Sequence, residues 1–410
     1  MICRCCGSEV RRVFLDLGAS PAANSFLASA DLDRPEPHYP LVVHVCDSCH
    51  LVQIGEEKAA AEIFNAGYVY FSSCSEAFVR HAQRYARAIT AELGLGAGSL
   101  VVEAASNDGY LLQHFKTMGI PALGVEPSAS TARVARDKGI ETLVEFFTAE
   151  LGRRIAAKRG PADLFVGNNV VAHVPNLADF LGGIAAVLKP KGTATLEFPH
   201  LLNLIRDVQF DTVYHEHFSY FSLLAFSEAL RRNGLYARKV EELPVHGGSL
   251  RVYCAREGSG IPVEPSVGKV LDDEIRAGLD RTETYAGLQA RADAVSRDFL
   301  AFLCREKANG ATIAGYGAAA KGNTLLNYCG VKPFLMDFVA DVTPAKQGMY
   351  LPGSRIPVLP EAAIFERKPD FVVILPWNWE AEIRARLAGI AAWGGRFVTA
   401  IPSLRITPAR

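Results

Sequence analysis

Apolar residues along the chain change their spacing several times, and each change marks a different kind of element. Between 78 and 92, Phe78, Ala82, Tyr85, Ala86 and Ile89 recur at intervals of three and four, the spacing that gathers side chains on one face of a helix. The glycine-rich run from Gly94 to Gly98 ends that period, and Leu100-Val101-Val102-Glu103 follows as a short apolar strand. Further strands are expected at 122–126, 163–167 and 193–198. They alternate with helical stretches, the order that a doubly wound parallel sheet produces. From about 269 to 308, Val270, Leu271, Ile275, Leu279, Leu288, Val295, Phe299 and Phe302 suit one or two charged helices. Beyond them, Thr312–Gly315, Phe338–Asp341 and Phe371–Leu375 begin a second α/β unit that reaches the C-terminus. Near the start, Val42-Val43-His44-Val45 reads as a strand.

At 410 residues the chain is long for one core. The pattern divides it into a small domain over residues 1–66, a central α/β domain over 67–247 and a C-terminal Rossmann-like domain over 248–410. Hydrophobic residues make up 49%, enough for sizeable cores, yet no apolar run approaches the ~20 residues of a membrane span. The formal charge of -1 gives no global electrostatic case for nucleic acid or an anionic membrane. No basic segment followed by an apolar one opens the chain, so a soluble protein of the reducing cytoplasm is expected. Oligomeric state is not readable.

Cysteine placement changes the picture of the first domain. Of nine cysteines, five fall in the first fifty residues: Cys3, Cys5, Cys6, Cys46 and Cys49. Cys3-x-x-Cys6-Gly7 and Cys46-x-x-Cys49 form two knuckles whose thiolates can complete a tetrahedral zinc site. Four thiolates leave no open coordination position, so this metal folds the domain and takes no part in chemistry. Cys5 is read as a bystander, and the scattered cysteines as small core residues.

In the central domain, Glu103-Ala104-Ala105-Ser106-Asn107-Asp108-Gly109 stands where a strand should turn into a helix beginning near Tyr110. Ligands of open α/β sheets bind there. A methyl-donor loop usually shows glycine at alternate positions after the acid; here Ala105 and Asn107 occupy the first two and only Gly109 remains. Asn tolerates left-handed backbone and Ala is small, so close approach of a cofactor stays feasible. Gly124-Val125-Glu126-Pro127 ends the second strand, placing a carboxylate where ribose hydroxyls can be accepted. Two such acids favour S-adenosylmethionine, although acidic helix caps in an ordinary nucleotide fold would look alike. The expected cofactor contacts are Glu103, Ser106, Asn107, Gly109, Glu126, Pro127 and Asn168. Asn168 opens a loop, Asn168 through Pro175, that carries Asn169 and His173 toward the same crevice; His173 could equally be a structural histidine.

Tyr214-His215-Glu216-His217-Phe218-Ser219-Tyr220 concentrates acid/base groups and phenols. Imidazole titrates near neutrality, a carboxylate can orient it, and a phenol can donate to developing oxyanion charge, so the segment can remove a carbon-bound proton. A surface loop or a metal pair, His215 and His217, would show the same residues. His246-Gly247-Gly248 is a second histidine turn, with glycines that permit close approach to a ligand.

Together these segments resemble the zinc-containing sugar C-methyltransferases, typified by the nucleotide-sugar C-3 methyltransferases of deoxysugar biosynthesis. The marks are both cysteine knuckles, Glu103–Gly109, Gly124–Ser128, Tyr214–His217, His246–Gly248 and Gly315-Tyr316-Gly317-Ala318-Ala319-Ala320-Lys321. The resemblance implies an N-terminal zinc domain, a central class I methyltransferase Rossmann-like domain binding S-adenosylmethionine, and a C-terminal Rossmann-like α/β domain enclosing a nucleotide-diphosphate 4-ketosugar. It implies that His217 removes the proton beside the ketone, that Tyr214 and Glu216 position the sugar and polarise its oxygens, and that His173 and His246 line the substrate pocket; from their own loops, Asn169 and Gly247 are expected to contact substrate as well. His215 falls at a position the family varies.

Two other functions fit parts of the chain. Gly315-x-Gly317-x-x-Ala320, with Asp341 ending the next strand, also matches a dinucleotide fingerprint, as in an NAD-dependent sugar oxidoreductase. Lys321 follows at a helix start, where a cation and free amides suit a nucleotide diphosphate, as the resemblance requires; Gly317 and Lys321 are expected at that substrate site, and Lys346 either assists there or is solvated. A zinc-ribbon protein that binds or modifies RNA is the alternative from another class, and near-neutral charge argues against it.

Overall fold

The computed structural model describes residues 1–57, 59–63, 71–74 and 76–409, and its strands fall into three sheets. The first begins with β1 (Arg12–Ser20), β2 (Tyr39–Val45) and β3 (Val52–Ile54), all antiparallel. In β2, Leu41, Val43 and Val45 turn inward while the residues between them are more exposed, the two-residue period of a half-buried strand.

The central sheet is the doubly wound one. Its parallel strands are β4 (Val101–Ala104), β5 (Ala122–Val125), β6 (Glu141–Leu143), β7 (Ala162–Asn168) and β8 (Leu188–Pro199). The strand β9 (Ser219–Tyr220) leaves this sheet and pairs with β3, Val52 opposite Tyr220 and Gln53 opposite Ser219. The chain then returns as β10 (Leu235–Leu243) and β11 (Ser249–Arg256), an antiparallel hairpin whose second strand lies along β8. The order is β10-β11-β8-β7-β4-β5-β6. Since β4 is flanked by β5 on one side and β7 on the other, the order reverses at its carboxyl end, which opens the crevice.

The third sheet runs β14-β13-β12-β15-β16-β17, built from β12 (Ile313–Tyr316), β13 (Phe338–Ala340), β14 (Val358–Leu359), β15 (Phe371–Ile374), β16 (Arg396–Thr399) and β17 (Arg405–Pro408). All its pairings are parallel except the last. The charged stretch before it is two α-helices, Pro265–Arg276 and Leu288–Ala308.

The expected boundary at 66/67 lies outside the described residues. The one at 247/248 falls inside the β10–β11 hairpin, so the central sheet extends to Arg256. The glycine turn that punctuates the sequence there is a hairpin turn, which looks like a linker when strand partners are unseen.

Packing locks the three sheets around the crevice. One core joins Leu15 and Val43 of the first sheet to Phe210, Val213 and Phe218, and through Phe299 and Phe302 to Ile313 and Val373 of the third. Across the central domain, the buried Glu274 carboxylate accepts from His200 Nε2 at 2.7 Å, from Leu223 N at 2.5 Å and from Leu224 N at 2.8 Å. It thereby caps the helix Leu223–Arg232 from a different helix. Among the described residues, no helix is long and apolar enough to cross a membrane.

Candidate active site

A cleft of about 680 Å³ is lined by all three parts of the chain. Asn24 enters from the N-terminal domain, Asn107, Glu126, Asn168, His173 and His217 from the central one, and Lys321, Lys346 and Trp379 from the C-terminal one. Eight non-glycine residues among those described have positive φ, and four of them, Ala105, Asn107, Asn169 and His246, line this cleft. Backbone held in a sparsely populated region costs on the order of 1–3 kcal/mol and concentrates at functional sites.

The loop after β4 takes left-handed backbone at three alternate positions, of which one is glycine. Ala105, Asn107 and Gly109 have φ of 51°, 50° and 76°. Gly109 is required on a second count, because a Cβ there would collide with Ile140 Cδ1. Glu126 receives the Asn107 amide at 2.9 Å and the Ser128 amide at 2.8 Å. Burial raises its pKa and those two bonds oppose the rise. Glu103, Ser106 and Gly109 do not line the cleft, whereas Pro127 does. The Glu103 carboxyl lies behind the loop with Oε2 unpartnered and its pKa raised well above the usual range, by burial first and then by Glu126 and Asp108. Ser106 Oγ and Asn168 Oδ1 are likewise buried and unpartnered, and Asn168 lines the cleft. A carboxylate at the second strand end and orphaned acceptors beside a strained loop fit a nucleoside cofactor.

Two histidines stand face to edge on the other wall, His173 and His217, with ring centroids 4.6 Å apart. His217 Nδ1 donates to the Thr212 carbonyl at 3.0 Å, which leaves Nε2 as the lone-pair nitrogen. That nitrogen accepts from the Tyr214 hydroxyl at 2.8 Å. Its pKa lies well below the ordinary imidazole value, through burial first and then through His173. His173 donates from Nδ1 to the Glu216 carbonyl at 2.8 Å, and burial lowers its pKa to about 4. His246, with Nε2 3.5 Å from Asn169 Nδ2, is also lowered to about 4 by burial, with a smaller contribution from Lys321. Glu216 Oε1 accepts from Asn24 Nδ2 at 2.6 Å. His215 points elsewhere, its Nε2 3.2 Å from the Tyr39 and Pro40 carbonyls.

These depressed histidines bear on stability. Below pH 6.5 the unfolded chain binds protons that folded His173 and His246 refuse, so their contribution is intact above 6.5 and is lost as pH falls toward 4. The urea midpoint is expected to fall steadily across that window. A His173→Asn/His246→Asn double variant should show a shallower fall, and an equal slope in both proteins would contradict this account.

The C-terminal wall holds two half-buried lysines whose hydrogen-bond partners are neutral. Lys321 Nζ donates to Asn378 Oδ1 at 2.8 Å and lies 4.7 Å from the Trp377 ring centroid. Lys346 Nζ donates to the Ala318 carbonyl at 2.8 Å. Burial lowers both pKa values, opposed by Asp211 for Lys321 and by Asp341 and Glu216 for Lys346. Asp211 accepts from Trp377 Nε1 at 2.7 Å, and burial raises its pKa to about 6.

The glycines expected to receive ligand serve the protein's own packing. Gly317 lies outside the cleft lining; at φ 87°, a Cβ would stand 2.6 Å from Pro376 Cδ. Gly247 is likewise covered, by the Trp377 ring. Asp341 spends its carboxylate on the Ala318 and Thr343 amides, both at 2.7 Å. The dinucleotide pattern at 315–320 is thus explained by close packing and loop bonding, without a ribose.

In the N-terminal domain the Sγ atoms of Cys3, Cys6, Cys46 and Cys49 all lie within 4.8 Å of one another. Cys3 and Cys49 are 3.5 Å apart, as are Cys6 and Cys46. Tetrahedral zinc with bonds of ~2.3 Å spaces its sulfurs by about 3.8 Å, so the four thiols fit the ion. Cys5 is not part of the cluster.

Asn24, Thr212 and Asp211 could not be picked out from the sequence. Only Trp377-Asn378-Trp379 carried a signal, aromatic residues directly after a buried strand.

Family models match the chain in three consecutive pieces: "Putative zinc binding domain" over residues 3–64, "Methyltransferase domain" over 78–240 and "C-methyltransferase C-terminal domain" over 244–402. With a class I methyltransferase sheet, a strained donor loop and a four-cysteine cluster already in place, the chain belongs to the zinc-domain C-methyltransferases, enzymes that transfer a methyl group from S-adenosylmethionine to carbon. Among its relatives, C-methyltransferase NovU of Streptomyces niveus is 35% identical over 407 residues, which cover 99% of this chain and 97% of that one. Solved structures are more distant. Magnesium protoporphyrin IX methyltransferase from Synechocystis PCC 6803 with bound SAM is 17% identical over 48% of this chain and 89% of its own, with a TM-score of 0.34. The PH0226 protein of Pyrococcus horikoshii OT3 is 14% identical over 49% and 99%, with a TM-score of 0.38. Likenesses this weak bear on nothing further.

Proposed function

We propose that this enzyme methylates the carbon beside the ketone of a nucleotide-diphosphate-linked 4-ketosugar, with His217 as the base. The observation that carries the reading is the His217 ring itself. Burial favours its neutral form, Thr212 fixes one tautomer, and the residue lines a cleft that also holds two half-buried ammonium groups. A proton alpha to a ketone is acidified by the carbonyl and needs such a base.

His217 Nε2 takes the carbon-bound proton, and the electrons of the broken C–H bond move onto the ketone oxygen as an enolate. To accept, Nε2 must lose the Tyr214 hydroxyl, and the enolate oxygen is a better acceptor for that phenol. The imidazolium forms only as the enolate does, so the buried cation gains its counter-charge in the same step. S-adenosylmethionine, held beside Glu126 and the Asn107 loop, would supply an electrophilic methyl whose bond to sulfur breaks as the enolate carbon takes it, the sulfur keeping the electron pair as a neutral thioether. Glu216, steadied by Asn24, orients the sugar hydroxyls, and His173 and His246 complete the pocket. Lys321 and Lys346 hold the diphosphate, which gives each half-buried ammonium a charge partner that Asn378 and Ala318 cannot supply. A reducing cytoplasm would keep the four cysteines free for zinc.

The test is incubation with thymidine- and guanosine-diphosphate 4-ketosugars in deuterated water, with and without cofactor, read by mass spectrometry. Deuterium uptake above the spontaneous background and a ~14 dalton gain when cofactor is present, a methyl group replacing hydrogen, are the expected results. Neither signal across the panel would remove this substrate class. Within the same assay, Glu126→Ala should weaken cofactor binding by roughly tenfold or more, the loss of a charge-assisted pair of hydrogen bonds. Unchanged affinity by calorimetry would undo the ribose role of Glu126.

A further inference from the structure

Arg4 lies between Cys3 and Cys6 of the cysteine cluster, and its side chain reaches out of the knuckle to three backbone carbonyls. Its Nη1 donates to the Ile54 carbonyl at 2.6 Å and to the Phe218 carbonyl at 3.1 Å, and its Nε donates to the Pro175 carbonyl at 3.2 Å. The guanidinium carbon also stands 5.4 Å from the Phe218 ring centroid. Phe218 directly follows His217, and Pro175 is two residues beyond His173. One side chain therefore holds the backbone of both histidine segments, which otherwise meet through the Phe218 amide on the Ala172 carbonyl at 2.8 Å and the His173 ring on the Glu216 carbonyl.

The other end of Arg4 is fixed as firmly. Its amide donates to Gln53 Oε1 at 3.0 Å, and Gln53 Nε2 donates to Cys3 Sγ at 3.3 Å. Gln53 belongs to β3, the strand to which β9 adds directly after the histidine segment. The knuckle thus fixes where the backbone of residue 4 sits, and a rigid fork with several donors carries that position to three carbonyl oxygens that no single ammonium could reach together.

We propose that Arg4 is a positioning residue for methyl transfer: it ties the zinc knuckle to the segments carrying His173 and His217, and keeps the two imidazoles in register with the substrate carbon. The proposal rests on the roles given to those histidines above. It makes the zinc domain part of the alignment of the reaction, whereas the metal itself touches no reactant. Loss of such alignment lowers turnover more than binding, since a displacement of ~1 Å can cost about a hundredfold in rate.

Arg4→Lys and Arg4→Met test it in the full-length enzyme, with zinc content, cofactor affinity, kcat and KM measured alongside hydrogen exchange by mass spectrometry. Expected are a full zinc complement, KM and cofactor affinity within about threefold of wild type, and kcat lowered roughly ten- to a hundredfold. Exchange should rise in peptides covering 172–176 and 213–221, while those in the central sheet stay protected. Unchanged exchange at both segments would overturn the proposal, as would failure of both variants to fold with zinc, which would make Arg4 a folding residue only. Faster exchange with undiminished kcat would also overturn it, and the His217→Asn variant then locates the fault: if that variant is active, the histidine reading fails, and if it is inactive, the coupling fails.

Discussion

Replacing His217 with asparagine should lower turnover by on the order of a hundredfold or more while leaving S-adenosylmethionine affinity within about twofold. Asparagine can still donate to the Thr212 carbonyl and fill part of the imidazole volume, so the loop keeps its main tether. What it lacks is a basic lone pair where Nε2 now meets the Tyr214 hydroxyl. Glu126 and the Asn107 amide, which frame the proposed cofactor site, are bonded to each other on the methyl-donor loop, so binding there should survive. Deuterium uptake by the substrate in the absence of cofactor should disappear with turnover, because proton removal precedes methyl transfer. Normal turnover would take His217 out of the base role. Lost methylation with intact exchange would instead move His217 to the transfer step.

Cys3→Ser should lose zinc and, with it, the folded N-terminal domain. A structural zinc site contributes apparent binding free energy of about 10–16 kcal/mol at neutral pH, which in such domains is folding free energy. Serine offers a hard oxygen that stays protonated at neutral pH, in place of a soft thiolate. Cys3, Cys46 and Cys49 are themselves buried in the core that joins Val10 and Leu51 to Phe198 and Phe221. Losing the ion therefore damages the central domain as well as the knuckles. Zinc analysis and thermal unfolding check this, and a fully folded, zinc-free variant would refute the cluster's structural role.

The parts of the fold written in local periodicity could be read directly. The helix Glu76–Leu93 and the strands β4, β5, β7, β12, β13 and β15 come from short apolar runs or three-four spacing. The strand β6 was missed, since Glu141-Thr142-Leu143 is too short to show a period. The β10–β11 hairpin was split between domains because its turn carries glycines, and only its partner β8 reveals that it belongs to the central sheet. At the site, residues whose type announces chemistry were legible: the four clustered cysteines, Glu126, Tyr214, His217 and the two lysines. Asn24, Thr212 and Arg4 act through distant backbone or amide contacts, and nothing in their own neighbourhoods signals a partner far along the chain. Gly317 and Gly247 were misread for a related reason. Glycine signals close approach, and the sequence does not say whether a ligand or a tryptophan or proline of the same chain is approaching.

The pairing of β3 with β9 has a consequence for the newborn chain. The first three strands and both cysteine knuckles emerge from the ribosome long before Ser219 and Tyr220, the residues that cover the open side of β3. At ~5–20 residues per second, that edge waits on the order of ten seconds for its partner. During the interval, the N-terminal module offers a short row of unsatisfied amides and carbonyls that another nascent chain could occupy. Early capture of zinc would shorten the danger by setting the knuckles, but only arrival of the histidine segment closes it. Closing the N-terminal sheet and placing the segment that carries His217 are then one step, so a chain stalled before residue 220 keeps that edge open to cross-pairing.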